Sequence, residues 1–413
     1  MSGQDVIELE LSTMAHGGEA LGHWHGKVVF VQGGVPGEVV RARIVQDGKR
    51  WARADLLSVL TASPSRVEPP CPHFPACGGC QWQHIAYETQ LHYKRQIVVE
   101  QLQHLGLVRD PLVRPVIGMR EPWSYRNHAQ FAADRSLRLG FQAAYSHAVV
   151  PVERCLILHP MLNELRHLME VDWPDLVRLS LRAGIHTGEK MCIFEAESDE
   201  PPALEVDVDV SCVFRLHDGR DIVLIGSEAY HELLGDRRFR ISASSFFQVN
   251  TEMATAVVDA VRSYLDPQPD DTLLDIFSGV GTIGLSLADQ VGRVIGVEED
   301  FSAIADARAN AGDMADVTFP GGSAEALLPG LQEQVSKAVI DPPRQGCGPQ
   351  VIEALRRLAP RRIVYVSCDP ATLARDAALL VQSGYALAEV QPVDMFPQTY
   401  HIETVSLWQP VVA

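Results

Sequence analysis

The sequence contains no apolar stretch that approaches the roughly 20 residues needed by a membrane-spanning helix. Its first residues, MSGQDVIELE, lack the basic and apolar segments of a secretory signal peptide. It also has no internal repeat and no low-complexity tract. These absences predict a cytoplasmic protein with no membrane partner and no evident need for an obligate protein partner. A length of 413 residues, 46% of them hydrophobic, predicts two or three globular domains.

Basic residues are in the minority, and the net charge of −18 at pH 7 argues at first against a polyanionic partner. The acidic excess is unevenly distributed, however. Residues 1–150 contain 15 Lys and Arg against 13 Asp and Glu, which leaves 20 of the 35 basic and 40 of the 53 acidic residues for the rest. Because local potential steers a ligand more than total charge does, a nucleic-acid-facing N-terminal part stays compatible with the sequence.

Three parts are expected along the chain. Residues 1–61 alternate short apolar stretches with turn-rich pieces, which predicts a small OB-type β-barrel of four or five strands, with or without a ligand. A proline-rich linker, residues 62–72, opens a central mixed α/β part that extends to residue 240. Within that part we expect a helix over residues 86–105 and an acidic loop over residues 198–210. In the barrel, the expected strands are VIELEL, KVVFVQ, EVVRARIV and ARADLLSVL, and HGGEALGHWHG is a linking piece.

Strands and helices alternate in residues 241–413. The stretches TLLDIF, GRVIGVE, ADVTF, KAVID and RRIVYVS read as strands separated by helices, whereas YALAEVQPVDMF and HIETVSLW follow without one. This alternation predicts a Rossmann-like parallel sheet with helices on both faces, and therefore the α/β fold class. Ligands of such sheets bind outside the carboxyl ends of the strands.

Three of the eight cysteines are clustered as C-x5-C-x2-C, namely Cys71, Cys77 and Cys80, and Cys155 in PVERC is a candidate fourth ligand. In a cytosolic chain of this size, clustered cysteines indicate metal binding or catalysis rather than disulfides. Four thiolates suit either zinc or an iron–sulfur cluster. The second CxxC pair of most structural zinc sites is absent, but the spacing alone leaves both alternatives open.

A glycine-rich loop follows the expected strand TLLDIF, with Gly279, Gly281 and Gly284 spaced as G-x-G-x-x-G. Glu298 ends the next strand, where an acid can bind ribose hydroxyls. The pattern predicts an adenosine-containing ligand and fits a dinucleotide and S-adenosylmethionine equally well. A tight strand–helix turn without a ligand is the remaining alternative.

Three further reactive groups fall at expected strand ends: Asp341 in KAVIDPPRQG, Cys368 in YVSCDP and Glu403 in HIETVSLW. A single acid at a strand end is often only a helix cap. Two acids and a thiol at the edge that carries the glycine loop instead indicate a catalytic site.

With these motifs, nearly the whole chain resembles the S-adenosylmethionine-dependent RNA uracil-5-methyltransferases, which form 5-methyluridine in ribosomal or transfer RNA. The N-terminal part is similar to their TRAM domain, an OB-type RNA-binding barrel. The resemblance implies that the four cysteines hold a [4Fe–4S] cluster. It also implies a set of cofactor-binding residues: Gln248 in SFFQVN, Phe277, Thr282, Glu298 and Asp341.

The same resemblance implies that Cys368 is the nucleophile and Glu403 the general base. A thiolate that adds to C6 of uracil makes C5 electron-rich, and the base later removes the C5 proton. A thiol at a strand end near a helix start can be stabilised as thiolate. The family frequently has Asn where this chain has Asp369, and the extra negative charge is expected to raise the pKa of the thiol.

RNA is the expected partner, with 23S ribosomal RNA favoured and the transfer RNA T-loop as second candidate. The target base must be unstacked, so aromatic and basic side chains could grip it. For each aromatic taken singly, ordinary core packing is the favoured explanation. Two alternatives of other classes are a nicotinamide-dependent iron–sulfur oxidoreductase and a non-catalytic RNA-binding protein. The candidates for gripping RNA are Trp82, Trp123, Tyr125, Arg120 and Arg126.

Overall fold

The computed structural model describes residues 6–106, 108–144 and 146–411. The chain begins with a closed five-stranded barrel in the order β1-β2-β3-β5-β4, as the sequence predicts. Along β1, exposed and buried side chains alternate, which is the pattern of a strand with one face in a core. The barrel strands are β1 (Val6–Met14), β2 (Ala20–Trp24), β3 (Lys27–Gln32), β4 (Val39–Asp47) and β5 (Trp51–Thr61).

Strand β2 lies within HGGEALGHWHG, which the sequence analysis placed in a linking piece. Glycine there indicated a turn, but Gly22 has a packing role. A Cβ atom on Gly22 would lie 2.5 Å from the Glu10 carbonyl oxygen, so a glycine lets β1 and β2 approach each other.

The central part contains a seven-stranded sheet in the order β12-β11-β10-β9-β6-β7-β8. Residues 198–210 form neither helix nor strand, which confirms the predicted acidic loop. Helix α1 (Tyr87–His104) confirms the predicted helix, and α2 (Pro160–Leu168) packs against β9. The strands are β6 (His128–Ala133), β7 (Leu139–Gln142), β8 (Val149–Pro151), β9 (Leu176–Ala183), β10 (Lys190–Ala196), β11 (Ser211–Arg215) and β12 (Asp221–Ile225).

A hairpin, β13 (Ala229–Leu234) and β14 (Arg237–Ser242), and α3 (Thr251–Leu265) lead to the second seven-stranded sheet, ordered β17-β16-β15-β18-β19-β21-β20. Strands β15 to β19 are parallel, and β21 lies antiparallel between β19 and β20. The strands are β15 (Thr272–Ile276), β16 (Arg293–Val297), β17 (Val317–Thr318), β18 (Lys337–Ile340), β19 (Arg362–Ser367), β20 (Tyr385–Val393) and β21 (Glu403–Pro410). The helices are α4 (Thr282–Leu287), α5 (Phe301–Ala311), α6 (Ala324–Leu327), α7 (Gly348–Leu358) and α8 (Pro370–Gln382), with 3-10 turns at Ala288–Gln290 and Leu328–Gly330.

One continuous hydrophobic core joins the barrel, helix α1 and part of the second sheet. Trp82 is fully buried there and donates its indole N–H to the Gly18 carbonyl at 3.1 Å. Tyr125 is buried too, and its hydroxyl donates to the Pro397 carbonyl at 3.1 Å. Both aromatics are therefore core residues, as the favoured explanation has it, and not RNA-stacking residues. No helix in the described ranges has the length and apolar character needed to cross a membrane.

Candidate active site

The register of the second sheet aligns three of the predicted site residues. Ile276, the last residue of β15, pairs with Val297 at the end of β16 on one side and with Ile340 at the end of β18 on the other. The residues that follow them, Phe277, Glu298 and Asp341, therefore form a row along the carboxyl edge. Backbone hydrogen bonds continue this row, since the Phe277 N–H donates to the Val297 carbonyl at 2.9 Å and the Asp341 N–H donates to Ile276 at 3.2 Å.

Antiparallel pairing of β19 with β21 brings the predicted nucleophile and base together. Ser367 pairs with Thr404. Cys368 follows Ser367 and Glu403 precedes Thr404, so the two side chains belong to neighbouring positions at the same sheet edge. Cys368 is half-buried, whereas Glu403 is only 4% exposed.

The glycine loop is tightly built around Glu298. Gly279 and Gly281 have φ angles of +55° and +85°, which glycine adopts without strain. The Gly279 N–H donates to Glu298 Oε2 at 2.9 Å, and the amides of Glu299 and Asp300 donate to Oε1 at 2.8 and 2.9 Å. The loop therefore fixes the acid side chain that the sequence assigns to ribose binding.

The remaining predicted cofactor residues lie on segments that flank this edge. Thr282 is the first residue of α4, and its side chain is half-buried. Gln248 lies just before α3, with its carbonyl accepting from Asn127 Nδ2 at 3.0 Å. Phe301, which begins α5 three positions after Glu298, is 90% exposed, so its ring is accessible beside this edge.

Carboxyl groups crowd the edge. Burial, followed by the charges of Asp341 and Glu298, raises the pKa of Asp275 to about 7. Burial likewise raises the pKa of Asp341 to about 7, and burial together with Asp341 raises that of Glu403 well above its ordinary value. Several acids in one partly desolvated site repel each other when ionised, so a bound cation is stabilised there.

The Cys368 thiol is not activated in this arrangement. Burial, then Glu403 and then Asp341 raise its pKa to about 11, and Arg344 opposes them. Burial and the neighbouring carboxylates thus outweigh the position of the thiol at the start of α8. Asp369 does raise the pKa, as predicted, but it is the weakest of these influences.

Asp369 has a structural role instead. It caps helix α8, with Oδ1 accepting from the amides of Ala371 and Thr372 at 2.9 Å each. Its other oxygen lies 3.5 Å from Nε2 of His16 in the loop between β1 and β2 of the barrel. The His16 hydrogen bond, opposed by burial, lowers the pKa of Asp369 to about 2.

Comparison with known proteins shows the family of this chain. A family model described as tRNA (uracil-5-)-methyltransferase matches residues 330–409, and a TRAM-domain model matches residues 4–57. An uncharacterised RNA methyltransferase of Halalkalibacterium halodurans is 36% identical over 442 residues, covering 98% of this chain and 96% of the relative. The chain belongs to the S-adenosylmethionine-dependent RNA uracil-5-methyltransferase family. It is therefore an RNA methyltransferase with an N-terminal TRAM barrel.

Two further similarities extend over almost the whole chain. An uncharacterised RNA methyltransferase of Thermosynechococcus vestitus is 35% identical over 437 residues, covering 97% of each protein. The crystal structure of Pyrococcus abyssi tRNA (uracil-54, C5)-methyltransferase with S-adenosyl-L-homocysteine superimposes with a TM-score of 0.76 at 26% identity, covering 97% of this chain and 99% of that one. The nicotinamide-dependent oxidoreductase alternative finds no support in these relatives.

In this methyltransferase, Arg344 is a site residue that the sequence analysis quoted in the DPPR motif but did not assign. Its side chain is exposed, and its positive charge opposes the raised pKa values of both Cys368 and Glu403. The Thr372 hydroxyl donates to the Arg344 carbonyl at 2.9 Å, which ties the motif to helix α8. Arg344 is therefore a basic residue whose charge lowers the pKa of both proposed catalytic groups.

The four predicted cluster cysteines surround one cavity of about 490 Å³. Burial raises the pKa of Cys80, a hydrogen bond with Gln83 lowers it, and the other three thiols raise it, which gives a pKa of about 12. The four thiols are therefore close neighbours. Among the residues that the structure describes, no three His, Cys, Asp or Glu side chains converge on a point that could hold a single metal ion. What the structure shows at this place is four thiols that line one cavity.

Proposed function

We propose that this methyltransferase transfers a methyl group to C5 of a uridine in RNA through a covalent bond between Cys368 Sγ and C6 of the base. The observation that carries the proposal is the β19–β21 pairing, which sets Cys368 beside Glu403 at the edge that also bears the glycine loop. The residues proposed to hold S-adenosylmethionine there, which supplies an electrophilic methyl group when bound, are Gln248, Phe277, Thr282, Glu298, Asp341 and the exposed Phe301.

Each proposed step uses one of the two catalytic groups. The Cys368 thiolate adds to C6, and the C5–C6 π electrons pass toward the C4 carbonyl oxygen, which makes C5 nucleophilic. Once C5 carries the methyl group, the Glu403 carboxylate accepts the C5 proton. The electrons of the broken C5–H bond re-form the C5–C6 double bond, and Cys368 leaves as thiolate.

The raised pKa of the thiol is compatible with this chemistry, because the charges that raise it belong to residues of the same site. Glu403 and Asp341 are the charges that raise it most, after burial. A cation bound next to these carboxylates lowers the thiol pKa, as Arg344 already does. We therefore propose that the thiolate forms only when the site is filled.

We further propose that Cys71, Cys77, Cys80 and Cys155 hold a [4Fe–4S] cluster that ties the cysteine-rich segment to the start of α2. Anaerobic reconstitution should load about four irons per chain, as expected for a Cys₄ cluster. Cys155→Ser should lose most of that iron, and Cys192→Ser, a buried cysteine outside the cavity, should not. Binding of one zinc per chain in place of iron would contradict the cluster assignment.

We propose 23S ribosomal RNA as the substrate because the four cysteines resemble those of the family's iron–sulfur members. Transfer RNA is the second candidate, since the similar Pyrococcus abyssi enzyme is a tRNA (uracil-54, C5)-methyltransferase. Both substrates agree with the expected cytoplasmic location.

To distinguish the two candidate substrates, unmodified 23S and transfer RNA transcripts are incubated with the enzyme and methyl-labelled S-adenosylmethionine and then digested to nucleosides. Label in 5-methyluridine from ribosomal RNA is expected with the wild type and absent with Cys368→Ala. Label only in transfer RNA would reverse the choice of substrate. Label in a base other than uracil would refute the proposed reaction.

A further inference from the structure

The segment that precedes the proposed base, Glu403, is bound by side chains that lie outside the second sheet. Residues 394–402, here called the base loop, connect β20 to β21 and end next to Glu403. Side chains from α1 and from the segments before β6 and α3 bind successive positions of it. These contacts are Tyr87 to Asp394 (2.8 Å), Lys94 to Asp394 (2.5 Å) and to the Phe396 carbonyl (3.1 Å), Asn250 to the Met395 carbonyl (3.1 Å) and Tyr125 to the Pro397 carbonyl (3.1 Å).

At the centre of the base loop, two glutamines bind each other. The Gln90 Nε2 donates to Gln398 Oε1 at 3.0 Å, and the Gln398 backbone N–H donates to Gln90 Oε1 at 3.1 Å. Both residues are buried, and Gln398 has a φ of +69°, which residues with a side chain rarely adopt. A buried amide pair with matched donors and acceptors fixes one geometry, because any displacement leaves polar atoms unpaired.

The same glutamines bind the cysteine loop, residues 71–82. The amides of Gln81 and Trp82, which directly follow Cys80, donate to the Gln398 carbonyl at 3.1 and 3.0 Å. The Gln90 Nε2 also lies 3.1 Å from the Trp82 carbonyl and 2.9 Å from the Ile85 carbonyl, so its two N–H groups share three acceptors. Gln398 is therefore held by helix α1 on one side and by the end of the cysteine loop on the other.

We propose that Gln90 and Gln398 are positioning residues for Glu403, and that through them the placement of the base depends on the cysteine loop. The inference rests on the proposed role of Glu403 as the group that removes the C5 proton. Neither glutamine belongs to the row of residues at the cofactor edge. Their loss should therefore slow proton removal, the step after methyl transfer, more than it affects cofactor binding.

The test uses the full-length enzyme with its metal site loaded, S-adenosylmethionine and the RNA that it methylates. Gln90→Met removes the amide with little change in volume, and Gln398→Asn shortens the side chain while keeping a residue that tolerates positive φ. Gln103→Met on the exposed side of the same helix is the matched control. Turnover, the denaturation-resistant RNA–protein adduct and the Kd for S-adenosylmethionine are measured for each variant.

For Gln90→Met and Gln398→Asn we expect turnover to fall about 10- to 100-fold, as for a catalytic group displaced by a fraction of an ångström to 1 Å. The methylated adduct should accumulate, the Kd should stay within about twofold of wild type, and Gln103→Met should behave as wild type. Reduced turnover without accumulated adduct would overturn the proposal, and so would unchanged turnover. A parallel measurement on Glu403→Gln distinguishes a wrong assignment of the base from a wrong positioning role for the glutamines. If Glu403→Gln traps no adduct, the base is wrongly assigned; if it traps adduct and the glutamine variants do not, only the positioning role fails.

Hydrogen exchange tests the dependence on the cysteine loop without reference to activity. Cys80→Ser should speed exchange in peptides that cover the base loop, as Gln90→Met does. The reason is that the amides of Gln81 and Trp82, which follow Cys80, donate to the Gln398 carbonyl and so hold the base loop. Cys192→Ala, which removes a buried thiol outside the cavity, should leave that exchange unchanged. Unchanged base-loop exchange in Cys80→Ser would refute the coupling.

Discussion

The proposed nucleophile shows how much a single side chain depends on its surroundings. The sequence was sufficient to predict Cys368 and Glu403 at one edge, because Cys368 follows the end of a parallel strand and Glu403 opens the strand that runs antiparallel beside it. It could not predict the ionisation of the thiol, which depends on burial, Glu403 and Asp341 more than on the adjacent Asp369. Arg344 and Phe301 were missed, since their exposure becomes visible only once the loops are folded.

The raised pKa predicts how the Cys368 thiol reacts in the ligand-free enzyme. Since the pKa is about 11, alkylation by iodoacetamide should rise about tenfold per pH unit between pH 7 and 10 without levelling off. At pH 10, Glu403→Gln should speed the reaction more than Asp369→Asn does, because it removes the larger negative influence, whereas Arg344→Ala should slow it. Peptide mass spectrometry of residue 368 measures the rates. A plateau below pH 9 would show that the thiol is already activated.

At the scale of elements, short loops connect the barrel to the catalytic sheet. In the loop between β1 and β2, His16 approaches Asp369 and the Gly18 carbonyl accepts from Trp82. A Cβ atom on Gly18 would lie 2.8 Å from Cβ of Tyr400 in the base loop. The sequence predicted HGGE as a turn from its glycines, but it gave no sign that Gly18 packs against a tyrosine near the C-terminus.

Gly17 and Gly18 form a matched pair for testing this contact. Both have left-handed φ angles, +100° and +86°, but a Cβ on Gly17 would meet no atom within 4 Å. Gly17→Ala should lower the free energy of unfolding by about 1–2 kcal/mol, the backbone penalty alone. Gly18→Ala should lower it further and should also reduce turnover, because Tyr400 must move. Denaturant unfolding and methylation assays measure both effects, and equal behaviour of the two variants would contradict the proposed contact.

For the whole molecule, the barrel does not have a core of its own. One hydrophobic cluster contains residues of the barrel, of helix α1 and of the second sheet, together with Trp82. Pattern and composition could predict the parts, but not their docking, because the docking contacts join residues such as Gln90 and Gln398 that are 308 positions apart. The limits after residues 61 and 240 therefore remain predictions about sequence segments.

A shared core predicts cooperative unfolding. Removing residues 1–61 should uncover Trp82, which is fully buried in the intact chain, and should lower the midpoint of thermal unfolding of the remainder. The intact chain should unfold in one calorimetric transition. A truncated chain with an unchanged midpoint, or a separate barrel transition in the intact chain, would show that the barrel is an independent domain.

The central claim is that Cys368 forms a covalent bond to the RNA base and that Glu403 is needed to release it. The most direct test is the intact mass of Glu403→Gln after incubation with S-adenosylmethionine and substrate RNA. We expect a species with the mass of protein plus methylated RNA, linked through Cys368 and absent from Cys368→Ala and from the double variant. Complete turnover by Glu403→Gln, or an adduct that persists in Cys368→Ala, would contradict it.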